Sequence, residues 1–176
     1  MNKVLIVIDA QEDFTRGALR NEEAIAALPT IGNLVKYARE HDMQIYYTAD
    51  THDKNYLDIQ EGHFLPIPHC IKNTKGWELC PEVMYNPETD WLIQKSSFGY
   101  SYWDKGHVDE IWLCGFCTDI CVSANFQILK ALMPEVPITI IEDACAGVTP
   151  ELHEAALKVM KSCQANIVTW DELKSE

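Results

Sequence analysis

The sequence predicts an α/β protein with three layers, α/β/α, around a six-stranded parallel sheet that is doubly wound, with 3-2-1-4-5-6 as the expected strand order. Short, continuous apolar runs alternate along the chain with segments of helical periodicity. Several runs are rich in β-branched residues, which is typical of strands buried on both faces. The chain has 176 residues, 47% of them hydrophobic, so we predict a single domain, 1–176, with one continuous core.

The first half of the chain predicts two strands, one helix and a long loop. The apolar run KVLIVID is the first strand and ends in Asp9, and MQIYYTAD is the second and ends in Asp50. Helical spacing over Glu22 to Glu40 predicts a helix, in which Pro29 indicates a break or a restart. The region from Thr51 to Asn86 is rich in Pro, Gly, His and Asn, and irregular loops of this length are usually functional.

The second half predicts four more strands and two helices. The strands are DWLIQKS, EIWLCG, VPITIIEDA and NIVTW, and a short tail, DELKSE, follows the last of them. A helix is expected from Asp119 to Met133, with Thr118 or Asp119 as its N-cap. A second is expected from Pro150 to Gln164, capped by Thr149.

Charge and cysteine content exclude several classes of function. The formal net charge is −13 and no basic cluster is present, so we expect neither a nucleic-acid partner nor a membrane partner. No apolar segment approaches membrane-spanning length, and the opening run is too short for a signal peptide. The seven cysteines are scattered without a disulfide framework, so we expect free thiols in a reducing cytoplasm.

A carboxylate, an amine and a thiol are expected at the carboxyl ends of neighbouring strands, where doubly wound proteins gather their functional groups. Asp9 follows the first strand, Lys95 ends the third and Cys121 follows the fourth. Cys121 falls in the first turn of its helix, where unpaired N–H groups and the Lys95 ammonium would lower the pKa of the thiol. Asp9 would hold Lys95 and receive the thiol proton. These parts suit acyl transfer through a thioester, with the N–H groups of the turn around the oxyanion.

A competing interpretation takes Cys114, Cys117 and Cys121 as metal ligands, because their spacing is C-x2-C-x3-C. Cys114 lies inside an apolar strand, however, and its side chain is expected to point into the core. A structural zinc or iron–sulfur site would also need a fourth ligand nearby. The sequence favours the thiol chemistry over this metal cluster.

The motifs DAQEDF, QKSSFGY and GFCTDICV follow the first, third and fourth strands in that order. Together they resemble the isochorismatase-like cysteine hydrolases, and within them the nicotinamidase branch, over nearly the whole chain. The resemblance implies one hydrolase domain with a catalytic triad of Asp9, Lys95 and Cys121, whose thiolate attacks an amide or imide carbonyl. It also implies a cis Phe116–Cys117 peptide bond, which turns the N–H of Cys117 toward the oxyanion beside the N–H of Cys121.

Resemblance to nicotinamidases further implies a divalent metal in the long loop. The matching ligands are Asp50 and His52 after the second strand and His69 of the Pro-His pair. The remaining ligand is Glu61 or His63, and Glu61 is preferred because its spacing from His52 resembles the Glu-containing variant. Carboxylate and imidazole ligands suit Zn²⁺, with Fe²⁺ or Mn²⁺ as alternatives. The metal would bind the pyridine nitrogen of the substrate.

The resemblance predicts a cytoplasmic, homo-oligomeric nicotinamidase that converts nicotinamide and water to nicotinate and ammonia. Phe14, Tyr100 and Trp103 are candidates for the wall of a pocket around the ring. One departure is that no aromatic residue stands just before the Pro-His pair, at Leu65 to Ile67. The alternatives are a related hydrolase of another small amide, carbamoyl or ureido compound, and a doubly wound binding module without turnover.

Overall fold

A computed structural model describes residues 2–104 and 106–175. Six strands form one sheet in the order β3-β2-β1-β4-β5-β6, and every neighbouring pair is parallel. The predicted fold class and strand order are therefore confirmed. The strands are β1 Lys3–Ile8, β2 Gln44–Asp50, β3 Trp91–Lys95, β4 Glu110–Phe116, β5 Ile138–Ala146 and β6 Ala165–Val168.

Helices cover both faces of the sheet. The connections β1 to β2 and β4 to β5 to β6 run outward in opposite directions, and right-handed crossovers then place their helices on opposite faces. The α-helices are α1 Glu12–Thr15, α2 Glu22–Glu40, α3 Gln60–Phe64, α4 Ser123–Leu132, α5 Pro150–Ser162 and α6 Trp170–Leu173. Within the described residues, no helix combines the length and apolar character needed to cross a membrane. All seven cysteines are free.

The centre of the sheet is built from β1 and β4, whose side chains are almost entirely buried. Their register pairs Ile8 with Gly115 at the carboxyl edge. Gly115 has a φ of 115°, and a Cβ there would lie 2.0 Å from the carbonyl oxygen of Ile8. Only glycine therefore allows β4 to stay beside β1 up to the last residues before the Phe116–Cys117 peptide.

Pro29 does not break α2, in contrast to the prediction. The helix is continuous from Glu22 to Glu40, and Pro29 lies on its exposed side. Its missing N–H leaves the carbonyl of Ile25 without a helical partner, but that side of the helix faces water, which can take its place. The opposite side is held by the burial of Ala24, Ala27, Leu28, Ile31, Leu34, Val35 and Ala38. This packing outweighs the cost of the proline.

Several short helical segments were not predicted. The loop 51–86 contains α3 and three short 3₁₀ turns, Tyr56–Asp58, Lys75–Trp77 and Pro81–Val83. The helix predicted to start at Asp119 begins instead as a π-helical turn, Thr118–Val122, and no side chain caps it. The tail forms α6, because Thr169 and Glu172 make a capping box.

Thr149 caps α5 as predicted, since its side chain accepts a hydrogen bond from the N–H of Leu152 at 3.2 Å. We expect Thr149→Ala to lower the free energy of unfolding by about 1 kcal/mol, measured by urea denaturation. Ser162→Ala, at the exposed end of the same helix, should change it by less than about 0.5 kcal/mol. Equal effects of the two substitutions would contradict the capping role.

Candidate active site

Asp9 and Lys95 form a buried ion pair at the carboxyl edge of the sheet, with Lys95 Nζ 2.6 Å from Asp9 Oδ2. The Thr48 hydroxyl donates to Asp9 Oδ1 at 2.6 Å, so each carboxylate oxygen has one close partner. Lys95 Nζ also donates to the carbonyl of Ser97 at 3.1 Å and lies 3.5 Å from Asp50 Oδ1. The ammonium thus connects the ends of β1, β2 and β3.

Cys121 lies in the π-helical turn after β4, and its Sγ is 3.5 Å from Lys95 Nζ. The three side chains expected to converge therefore do so. The peptide bond between Phe116 and Cys117 is cis. Cys117 and Cys121 both line a cavity of about 1230 Å³, although Cys121 as a residue is only 5% exposed.

The pKa of the Cys121 thiol differs from the prediction. Burial raises the pKa of this thiol well above its ordinary value, and Asp9 adds to the shift while Lys95 opposes it. Burial also raises the pKa of Asp9, against the opposing Lys95. A thiol beside a more basic carboxylate stays protonated until that carboxylate takes its proton. Burial thus outweighs the Lys95 ammonium, which was expected from the sequence to lower this pKa.

Asp50, His52, Glu61 and His69 bring one ligand atom each into a single group, all within 4.8 Å of one another. His52 Nε2 lies 2.9 Å from Asp50 Oδ2 and 3.6 Å from Glu61 Oε1, and His69 Nε2 lies 3.6 Å and 3.5 Å from the same two oxygens. Ligands bound to tetrahedral zinc at about 2.1 Å stand roughly 3.4 Å apart. The donor set therefore has the spacing and chemistry of a divalent-metal site.

The electrostatics of this group also favour a cation. Asp50 Oδ1 is buried and accepts no hydrogen bond among the described residues. Burial alone would lower the pKa of His69, but hydrogen bonds to the carboxylates of Asp50 and Glu61 raise this pKa to about 10. His69 Nδ1 lies 2.9 Å from the carbonyl of Ile67, so a proton on Nδ1 leaves the Nε2 lone pair for a metal.

The two residues left open as the remaining metal ligand differ in their position. Glu61 belongs to the ligand group, whereas His63 is exposed and outside it. Cys114, Cys117 and Cys121 do not form a ligand group in the part of the chain that the structure describes. Cys114 is fully buried, as expected for a strand residue in the core.

Of the three predicted pocket residues, only one lines the cavity. Phe14 lines the cavity, and its ring packs edge-on against His69 with centroids 6.1 Å apart. Tyr100 and Trp103 do not line it; their rings pack against each other, and the Trp103 ring also contacts Tyr46. The cavity is lined by Phe14, Ala18, Leu19, Arg20, Asn21, Ala24, Asp50–Asp53, Asn55, Tyr56, Ile59–Glu61, Phe64, Leu65, His69, Ser96–Phe98, Cys117, Ile120, Cys121 and Val148.

Asn125 holds Tyr100 and Trp103, in the loop after β3, outside the cavity. Its Oδ1 accepts from the N–H of Tyr100 at 2.9 Å and from the indole N–H of Trp103 at 3.1 Å. Its Nδ2 donates to the carbonyls of Phe98 at 3.2 Å and Cys121 at 2.8 Å. One fully buried amide thus ties this loop to the turn that carries the sulfur. In the sequence, this role of Asn125 is indicated only by a polar residue at a position of the helix that is expected to be buried.

Comparison with known proteins now places the chain in a family. The family model described as "Isochorismatase domain" matches residues 3–172. The chain belongs to the isochorismatase family. The predicted membership of this family is therefore confirmed. The predicted hydrolysis of carbon–nitrogen bonds is borne out by the nicotinamidase and pyrazinamidase relatives described next.

Relatives of this isochorismatase-family chain include a probable inactive nicotinamidase of Arabidopsis thaliana, 28% identical over 190 residues (99% of this chain, 96% of the relative). A crystal structure of a nicotinamidase/pyrazinamidase from Bacillus subtilis is 29% identical, with a TM-score of 0.85 over 96% of this chain and 100% of that one. A pyrazinamidase of Pyrococcus horikoshii in complex with zinc is 30% identical, with a TM-score of 0.81 over 96% and 99% of the two chains.

Proposed function

We propose that this chain is a metal-containing cysteine amidohydrolase that converts nicotinamide and water to nicotinate and ammonia. The observation that carries the proposal is that Cys121 and the four residues of the candidate ligand group line one cavity. The similar nicotinamidase and pyrazinamidase structures, one of them in complex with zinc, support it. A thiol and a candidate metal site in one cavity, with a basic carboxylate buried beside the thiol, are parts that suit hydrolysis of a heteroaromatic amide.

The first half of the reaction forms a thioester. Asp9 takes the proton of the Cys121 thiol as the sulfur attacks the carboxamide carbon, so a C–S bond forms and the carbonyl oxygen gains negative charge. The N–H groups of Cys117 and Cys121 stabilise that oxyanion. Asp9 then gives its proton to the amide nitrogen, the C–N bond breaks, and ammonia leaves. Lys95 holds Asp9 through the 2.6 Å ion pair and keeps its carboxylate beside the sulfur.

The second half hydrolyses the thioester with the same groups. Asp9 takes a proton from water, and the oxygen of that water attacks the acyl carbon. The C–S bond breaks, the thiolate recovers its proton from Asp9, and the carboxylic acid leaves and gives its own proton to solvent, which yields nicotinate. Protons balance, because each one that Asp9 accepts is returned within the same half-reaction.

Asp50, His52, Glu61 and His69 would hold the divalent metal, with Zn²⁺ as the first choice and Fe²⁺ or Mn²⁺ as alternatives. When bound, the metal supplies a Lewis acid that can accept the lone pair of an uncharged ring nitrogen. A divalent cation also offsets the carboxylate charge of Asp50 and Glu61, which one buried ammonium cannot balance. Phe14 provides an apolar wall beside His69 for the ring.

Ammonia release from nicotinamide tests the proposal directly. We expect a turnover number in the ordinary enzyme range, about 1–100 s⁻¹, with nicotinate formed in equal amount. Heat-inactivated protein is the control. No ammonia from nicotinamide, measured with protein that has been loaded with zinc, manganese or iron, would contradict the proposal.

The assignment of Glu61 as a metal ligand can be tested by a pair of substitutions in the loop 51–86. We expect Glu61→Gln to weaken zinc binding by more than about 100-fold, because a ligand carboxylate is replaced by a poorer neutral donor. The matched control is His63→Gln, two residues on, which should leave zinc affinity within about twofold. Competition with a chromogenic chelator measures both. Weaker binding in His63→Gln than in Glu61→Gln would reverse the assignment.

A second candidate, a hydrolase of another small amide, carbamoyl or ureido compound, is favoured by the cavity. Its volume of about 1230 Å³ is several times that of a pyridine carboxamide, and Tyr100 and Trp103 are absent from its wall. A panel of small amides and ureido compounds, compared by kcat/KM under the same conditions, separates the two candidates. The highest kcat/KM on a non-aromatic amide would select the second.

A further inference from the structure

Gln11 is a fully buried side chain that the proposed chemistry does not use. Its Oε1 accepts from the N–H of Asp50 at 2.8 Å, and its Nε2 donates to the carbonyl of Asp50 at 2.9 Å and to that of Trp77 at 2.8 Å. β1 ends at Ile8, three residues before Gln11, and the chain then turns away from β2. Beside Asp50, where β1 has already ended, the side-chain amide of Gln11 bonds to the N–H and the carbonyl of Asp50 as a neighbouring strand would.

Asp13, two residues further along, holds the loop that carries His69. Its Oδ2 accepts from the N–H of Cys70 at 2.7 Å, and its Oδ1 accepts from the N–H of Ala18 at 3.0 Å. The carbonyl of Cys70 in turn accepts from the N–H of His52 at 3.0 Å. Cys70 therefore links Asp13 to His52 through its own N–H and carbonyl, and it holds the chain next to two residues of the ligand group, His69 and His52.

We propose that Gln11 and Asp13 are positioning residues that preorganise the metal-ligand group through main-chain hydrogen bonds. Gln11 fixes Asp50, and Asp13 fixes the segment joining His69 to His52. The inference rests on the proposed function, since it assumes that this group binds a metal. Neither side chain is proposed as a ligand: Asp13 lies outside the group of four, and both polar atoms of the Gln11 amide are bonded to main-chain groups. Their effect comes through the main chain of the residues that are.

Near-isosteric substitutions remove the hydrogen bonds with little change in volume. Gln11→Glu replaces the donor of two bonds with a carboxylate oxygen that faces two carbonyls. Asp13→Asn places an amide N–H₂ against the N–H of either Ala18 or Cys70. Outer-shell partners of metal ligands typically contribute 10–100-fold to metal affinity, so we expect zinc dissociation constants to rise by about 10–100-fold in each variant. The matched controls are Gln127→Glu and Asp58→Asn, which make the same changes at exposed positions.

Zinc affinity is measured by chelator competition on apo proteins whose circular dichroism matches the wild type, and the turnover of nicotinamide is measured separately against zinc concentration. We expect both variants to recover turnover to within about threefold at saturating zinc, which a defect in the chemical step would not allow. If Gln11→Glu does not fold, Asp13→Asn carries the test. Zinc affinity within about threefold of wild type in the folded variants would overturn the inference alone. A wild-type protein that binds no divalent metal would overturn the metal proposal and the inference together.

Discussion

Cys121→Ala is expected to lower the rate of ammonia release from nicotinamide by about 10⁴-fold or more. The thiol forms the covalent bond to the acyl group, and loss of a nucleophile leaves only what binding and the oxyanion N–H groups supply. Zinc affinity should stay within about twofold of wild type, because Cys121 is not one of the four proposed ligands. A coupled ammonia assay and chelator competition measure the two quantities.

Cys163→Ala is the matched control for Cys121→Ala, since it removes a thiol outside the cavity. Its turnover should equal that of the wild type. Residual turnover in Cys121→Ala above about one-hundredth of wild type would mean that the sulfur is not the nucleophile. Water activated directly by Asp9 would then be the mechanism to consider.

Asp9→Asn is expected to change turnover and thiol reactivity in opposite directions. Without its proton acceptor the enzyme should lose about 10²–10⁴-fold in kcat. Asp9 is one of the groups that raise the pKa of the Cys121 thiol, and Lys95 opposes it. Removing the carboxylate charge is therefore expected to lower the pKa of that thiol. Each decrease of one pKa unit raises the fraction of thiolate at neutral pH about tenfold.

Alkylation by iodoacetamide at pH 7, followed by peptide mass spectrometry at Cys121, measures the second effect. We expect faster labelling of Cys121 in Asp9→Asn than in wild type, although the variant is nearly inactive. The control is Asp58→Asn, an exposed carboxylate outside the cavity, which should change neither quantity. Slower labelling in Asp9→Asn would contradict this prediction, and it would mean that proton transfer to Asp9 outweighs the effect of its charge on the thiol pKa.

The sheet was predictable from sequence because its strands are continuous apolar runs. A residue that follows a parallel strand must lie at the carboxyl edge of the sheet. Asp9, Asp50 and Lys95 follow directly from that rule. The irregular parts were not predictable. Pro29 is a helix breaker by propensity, but its position on the exposed side of α2 depends on packing that only the folded chain defines.

The site was predictable where motifs carried it and unpredictable where tertiary contacts decide. The ligand choice between Glu61 and His63 depends on which side of a one-turn helix faces His52. Tyr100 and Trp103 lie outside the pocket because Asn125, more than 20 residues away in sequence, accepts hydrogen bonds from the main-chain N–H of Tyr100 and the indole N–H of Trp103. The pKa of the Cys121 thiol depends on burial, which local sequence does not report. Contacts of this kind become visible only in three dimensions.

During turnover, the sulfur of Cys121 is expected to take up the acyl group of the substrate. Acid quench of the wild-type protein within its first turnovers on nicotinamide, followed by peptide mass spectrometry, detects such an acyl group. We predict a nicotinoyl group on the peptide that contains Cys121, which disappears once the substrate is exhausted. Steady ammonia release with no acyl group on Cys121, under conditions in which a thioester survives the quench, would contradict the account.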